Sequence, residues 1–202
     1  MKRQKKMRRN KTQHNLILSG LAVLILNLAL YLEGCALTSW STFKTAEYVD
    51  RARGFQAVVP AGWKKFNMVK FFLMTNDGTV LDQIAVERRK VNTKLDYTKK
   101  QFTPDMLPQD LADVELDDFQ SDDEIGKFAV SDNSPVKVAD RDAFRLEYTY
   151  TIVKGGLKIH GIHYGFLKDQ WVYRVRYEAA DQHYFKQYKA DFDKFIQSFK
   201  LL

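Results

Sequence analysis

The sequence predicts an α+β fold: a central twisted antiparallel sheet packed by helices, including a C-terminal amphipathic helix. Three observations predict it. Segments 143–153, 157–167 and 171–179 are rich in β-branched and aromatic residues, and short turns join them. Residues 181–198 and the Phe199 that follows instead repeat Tyr184, Tyr188, Phe192, Phe195 and Phe199 at steps of three or four, the apolar stripe of a helix. Upstream, Asn76-Asp77-Gly78 separates two apolar stretches, a hairpin signal because these residues tolerate positive φ.

The chain begins with a basic polar region, residues 1–15, followed by a 17-residue apolar run from Leu16 to Leu32 broken by Ser19, Gly20 and Asn27. A basic end followed by an apolar run reads as a secretory signal, and the run is also just long enough for a short membrane helix. It ends in Leu32-Glu33-Gly34-Cys35, and Cys35 is the only cysteine of the 202 residues. This resembles a bacterial lipoprotein signal, with Glu33 standing where that pattern prefers a small or apolar residue. The resemblance implies loss of residues 1–34, acylation of Cys35 and, because Ala36 is no retention signal, an outer-membrane address. A retained membrane helix beside an unmodified Cys35 is the alternative. Both readings place residues 36–202 outside the cytoplasm.

The net charge of +7 belongs to this leader. Seven of the 32 basic residues and one of the 25 acidic ones lie in 1–34, which leaves 25 basic against 24 acidic, a net of +1. The basic character is therefore no footprint of nucleic-acid binding. With 45% apolar residues, the rest is long enough to bury one core and needs no disulfide.

Residues 35–53 read as a lipid-attached tether and 54–202 as a single domain. The first strand expected is 54–59, stopped by Pro60-Ala61-Gly62 and followed by Trp63. Residues 68–75 and 80–91 flank the Asn76-Asp77-Gly78 hairpin, and 94–100 is a basic connector. Segment 104–124 carries nine acidic residues and no Lys or Arg. Met106, Leu107, Leu111, Val114 and Phe119 trace a partial helical stripe there, so one short helix and an acidic loop are expected. The EF-hand pattern is absent, and a solvated acidic face is the reading.

In the C-terminal meander a two-residue Gly155-Gly156 turn would oppose Tyr148 to His163 and Tyr150 to Gly161. A Lys168-Asp169-Gln170 turn would oppose Leu167 to Trp171. One face then gathers Phe144, Leu146, Tyr148 and Tyr150 with His163 and with Trp171, Tyr173, Val175 and Tyr177. Bulky neighbours beside Gly161 and Gly165 imply aromatic rings lying over bare backbone. Tyr148, His163 and Tyr173 mark a candidate apolar pocket. The opposite face offers an interaction patch of Arg145, Glu147, Ile162, Tyr164, Phe166, Arg174 and Arg176, unless a helix or loop covers it. Asp181 is the expected N-cap of the last helix.

Catalytic signatures are missing. No Ser sits in a nucleophile elbow, no Gly-rich loop follows a strand, and the lone cysteine belongs to the leader. His160 and His163, three apart on a strand, point to opposite faces and cannot share a metal without a bulge. No metal, cofactor or catalytic residue is expected.

The opening Gly54-Phe55-Gln56-Ala57-Val58-Val59-Pro60 with Gly62-Trp63-Lys64, the middle hairpin, the Tyr-rich meander and the ending Phe192…Phe195-Ile196-x-Ser198-Phe199 resemble the PsbP/Mog1-like family over residues 54–202. The resemblance implies an envelope domain of accessory character and supplies no metal or catalytic residue. The reading is thus a lipid-anchored envelope protein, a non-catalytic accessory, assembly or docking factor for an envelope partner. A carrier or sensor for an apolar small molecule, and a hydrolase with an unrecognised site, are the alternatives. An exposed patch at Tyr164, Phe166 and Arg174 would favour docking, and a cavity near Tyr148 and Tyr173 would favour the carrier.

Overall fold

The computed structural model describes residues 39–67 and 70–202. The leader 1–34 and Cys35 lie outside the described residues. Ser39–Leu202 forms one compact unit. Within it, strands β1 (Trp40–Thr42), β2 (Glu47–Asp50), β3 (Phe55–Val58), β4 (Lys64–Phe66), β5 (Phe72–Thr75) and β6 (Asp82–Lys90) precede helix α1 (Pro108–Gln120). There follow β7 (Ile125–Val138), β8 (Arg141–Ile152), β9 (Lys158–Lys168), β10 (Trp171–Ala180), helix α2 (Tyr184–Gln197) and a short β11 (Lys200–Leu201). Eight strands form one antiparallel sheet in the order β1-β4-β5-β6-β10-β9-β8-β7, and β11-β3-β2 form a small second sheet.

Each face of the large sheet has its own core. On one face α2 and the small sheet bury Phe55, Trp63, Phe72, Tyr177, Phe192 and Phe195. On the other, α1 and the segment after β6 bury Val91, Leu95, Phe102, Leu111, Phe144 and Tyr148. Two covered faces make this a three-layer arrangement, which explains why its central strands carry buried residues on both sides.

The folded unit starts earlier than the sequence implies. Residues 40–50, expected in the tether, supply β1 and β2. Trp40 packs on Phe66 at 4.6 Å, and buried Asp50 accepts a 2.7 Å bond from Arg53. Strands of three and four residues are too short to show alternation, so the pairing that defines them is visible only in three dimensions.

Strand β7 is likewise unexpected. Its Ser131-Asp132-Asn133-Ser134-Pro135 core reads as a loop, yet it pairs with β8 along its length, with register shifts at Gly126/Ala129 and Val130/Asp132. It is an edge strand, so Pro135 needs no partner for its missing N–H, and polar residues facing outward blunt the edge.

Two turns decide the meander's register. Ile152 N–H donates to Leu157 O at 2.9 Å, so the β8–β9 loop holds four residues, 153–156. Tyr148 therefore opposes Gly161, and Phe144 opposes Gly165. A shift of two leaves every side chain on its expected face, and the rings do lie over the glycines. A Cβ at Gly161 would come within 2.5 Å of the Tyr148 ring, and one at Gly165 within 2.3 Å of the Phe144 ring. The β9–β10 turn holds only Asp169 and Gln170, with Asp169 at φ 55°, so Lys168 pairs with Trp171 and Leu167 with Val172. This slip is one residue. It turns the whole of β10 over relative to the expected arrangement.

Candidate functional site

The turned strand builds the site. Arg174, Arg176 and Glu178 of β10 share a face with His163 and Tyr148, and that face lies under α1. Tyr173, Val175 and Tyr177 point to the α2 side. The expected apolar pocket is thus corrected: Tyr148 and His163 stand on one side of the sheet and Tyr173 on the other. Tyr148 is fully buried and donates to Glu178 at 2.8 Å, while Tyr173 donates to Arg53 O at 3.0 Å. Neither they nor His163 line any of the described cavities.

The expected interaction patch divides as well. Ile162 and Phe166 are buried beneath α2, and Tyr164 packs on Phe192 at 5.9 Å. Arg145 and Glu147 remain near the edge, where Arg145 bridges Asp132 and Glu147. His160 continues this ladder, with Nε2 2.9 Å from Glu147 and Nδ1 3.2 Å from Asp181, its ring stacked on Phe185. Burial pushes the Glu147 carboxyl up, but hydrogen bonds from Arg145 and His160 outweigh it and hold its pKa below the usual value. Asp181 also binds Lys158 at 2.9 Å, and His183 occupies the N-cap of α2 in its place. Arg174 and Arg176 belong to the other face.

The acidic segment is more than a solvated face. Asp110 accepts from Leu107 N–H at 2.8 Å at the start of α1, where Pro108 sets the first turn. Asp118 accepts from Tyr97 N–H, Thr98 N–H and the Thr98 hydroxyl at 2.8–3.1 Å, tying α1 to the 92–101 loop. Glu115 points into the sheet and is fully buried. Arg174 reaches from below and clamps two carboxylates, Glu115 and Glu87, each at 2.7 Å. Arg89 holds Glu87 and Asp96 beside them.

Over this network lies a cavity of about 350 Å³, bounded by the 96–97 loop, α1 and the sheet. Arg89, Arg174 and Arg176 line it together with the carboxylates Glu87, Glu115 and Glu178, and Phe119 and Tyr150 add aromatic walls. Arg176 is half-buried, with its guanidinium 5.7 Å from the Phe119 ring centre. Burial pushes the Glu115 carboxyl above its usual range despite Arg174. Burial also raises Glu87, but Arg174, Arg89 and Arg176 together bring it below the usual value. The Asp122 carboxylate, also in the lining, interacts with the Tyr97 hydroxyl and pushes that phenol up to about 12.

His163 sits beside this network, 4.0 Å from Glu115 and edge-on to Phe144 at 5.1 Å. It is fully buried, and neither ring nitrogen has a hydrogen-bond partner among the described residues. Burial, reinforced by Arg174 and Arg176, drives its pKa well below the ordinary imidazole value, so it is neutral. Among the described residues no three potential ligands converge on a metal position, and no helix is long and apolar enough to cross a membrane. Sequence reasoning missed Glu115, Glu87 and Arg89. Glu115 alone carried a signal, as an acid at the spacing of Leu111 and Phe119 on the buried stripe.

No protein-family model matches this sequence, and comparison with curated proteins gives no match. Solved structures do match. The cyanobacterial PsbP (CyanoP) of Synechocystis sp. PCC 6803 aligns over 84% of this chain and 96% of its own, with TM-score 0.54 and 14% identity. LpqN of Mycobacterium tuberculosis, described as involved in cell envelope biogenesis, aligns over 77% and 88%, with TM-score 0.50 and 13% identity. A mutant of the protein Mog1 aligns over 79% and 96%, with TM-score 0.53 and 9% identity. At these identities the likeness is one of architecture: the chain has a PsbP/Mog1-like fold.

Proposed function

We propose that this chain is a lipid-anchored, non-catalytic accessory factor of the cell envelope that docks on a membrane-proximal partner. The observation that carries the reading is where the fold begins. Only Ala36 to Ser39 separate Cys35 from Trp40 of β1. A chain rises at most about 3.6 Å per residue, so an acylated Cys35 holds β1 within about 18 Å of its anchor. The domain would sit on the membrane surface with no long tether, and its partner would have to be reachable there. Acyl anchoring by more than one chain is stable on physical grounds. The involvement of LpqN in cell envelope biogenesis agrees with this setting.

Two further features support docking over the alternatives. The space between sheet and α2, where an apolar molecule would travel, is filled by Phe192, Phe195 and Phe199. On the other face, Arg174 joins Glu87 to one oxygen of Glu115, which fastens α1 to the sheet, and His163 is enclosed.

Intact-mass analysis of the protein from the membrane fraction, beside a Cys35→Ala variant, tests the proposal. A mature species starting at Cys35 with added acyl mass, lost in the variant, is expected. In-cell crosslinking from the β1–β2 region should then give one partner, captured from wild type and not from Cys35→Ala. A full-length species still carrying residues 1–34 would overturn lipid anchoring, and capture unaffected by Cys35→Ala would overturn a membrane-proximal partner.

A further inference from the structure

The cavity under α1 has two unmet demands of opposite sign. Arg89 and Arg174 are each held by two carboxylates, whereas Arg176 makes no ion pair or hydrogen bond among the described residues. A half-buried guanidinium offers a planar fork of donors that matches a carboxylate in bidentate fashion. The same cavity is lined by Glu115, whose fully buried Oε1 has no hydrogen-bond partner among the described residues. Buried polar groups are normally paired, and an orphaned acceptor on a residue that lines a cavity marks a place for a donor, which a turn of the Glu115 side chain would let it reach.

The charge of the lining narrows the ligand. Three arginines face six carboxylates: Glu87, Asp96, Glu115, Asp118, Asp122 and Glu178. A simple anion at Arg176 would therefore enter a negative surround. A simple cation would leave Arg176 unanswered. A molecule carrying both signs meets both demands, and about 350 Å³ lies within the range of small-molecule sites.

We propose that this cavity binds a small zwitterion of the α-amino acid class, its carboxylate taken by Arg176 and its ammonium by Glu115. The site would give an accessory domain a ligand-dependent state, and it stands whether or not the domain docks at the membrane. An ammonium at Glu115 Oε1 also stabilises the ionised carboxylate that burial disfavours.

The test is calorimetric titration of the full-length protein in detergent with a panel of the common α-amino acids, and with acetate and methylammonium as single-charge probes. At least one amino acid should bind, with acetate and methylammonium each tenfold weaker or more. Arg176→Gln should weaken that binding at least tenfold, and Arg176→Lys, which keeps the charge and loses the fork, by less. Arg176 also supports Glu87 and lies over Phe119, so each variant is first shown by its urea unfolding transition to be cooperatively folded under the titration conditions, which separates a lost site from a lost fold. Silence across the panel, acetate binding as tightly as the amino acid, or an unchanged affinity in a folded Arg176→Gln protein would each overturn the proposal.

Discussion

Replacing Gly165 by alanine should destabilise the domain through one aromatic ring. A Cβ at this position would stand 2.3 Å from two carbons of the Phe144 ring, where ordinary contact begins near 3.4 Å, so the ring must retreat by about 1.1 Å. Phe144 is fully buried, with His163 edge-on against it at 5.1 Å, so its retreat must displace packed neighbours. Overpacking of this kind costs about 1–3 kcal/mol. Alanine otherwise gains about 0.5–1 kcal/mol over glycine inside a strand, so a net loss of about 1–2 kcal/mol is expected. For a domain of this size that corresponds to a fall in Tm of roughly 2–8 °C. Urea unfolding of wild type, Gly165→Ala, Phe144→Leu and the double variant measures it. In the Phe144→Leu background the obstructing ring is gone, and Gly165→Ala should become neutral or stabilising. A stabilising Gly165→Ala in the wild-type background, or equal effects in both backgrounds, would refute the register and the ring-over-glycine packing together.

The buried histidine gives a pH signature. Its folded pKa is depressed, so below about pH 6.5 the unfolded chain takes up a proton that the folded one does not, and stability present above 6.5 is lost as pH falls, by up to about 1.4 kcal/mol per pH unit. Glu115 at 4.0 Å, with its raised pKa, works in the opposite sense from about pH 4.5 upward, so His163→Leu should flatten the slope between pH 6.5 and 5.5 by the histidine's share; equal slopes would contradict a neutral, enclosed imidazole. Asp82 organises the loop before β6, where its carboxylate accepts from Asn76 N–H at 2.6 Å, Asp77 N–H at 2.9 Å and the Thr75 hydroxyl at 3.0 Å. Asp82→Ala should lose about 1–3 kcal/mol in chemical denaturation, and Asp82→Asn, which keeps one acceptor, clearly less. Equal losses would show that the loop does not depend on these bonds.

Legibility in the sequence followed local physics. The stripe at Tyr184, Tyr188, Phe192 and Phe195 has a single periodic reading, and α2 buries Tyr188, Phe192 and Phe195 of those four. Asn76-Asp77-Gly78 likewise marks the reversal between β5 and β6, where Gly78 at φ 125° takes a backbone that few other residues accept. Strand β7 was illegible because an edge strand with one partner tolerates Pro135 and a polar core that elsewhere would signal a loop. The strands β1 and β2 were illegible because three or four residues carry no period.

The sequence by itself determined that residues 143–180 form a meander with rings laid over Gly161 and Gly165, since both registers of the β8–β9 hairpin preserve side-chain parity. Only the tertiary structure decided the facing of β10. Side chains alternate with a period of two, and the difference between a two-residue and a three-residue turn after Lys168 moves Arg174 and Arg176 from one face of the sheet to the other. Packing settles that choice. One face must receive the aromatic side of α2, and Tyr173, Val175 and Tyr177 supply it. The arginines then fall beneath α1, where Glu115 is the acid placed to meet them.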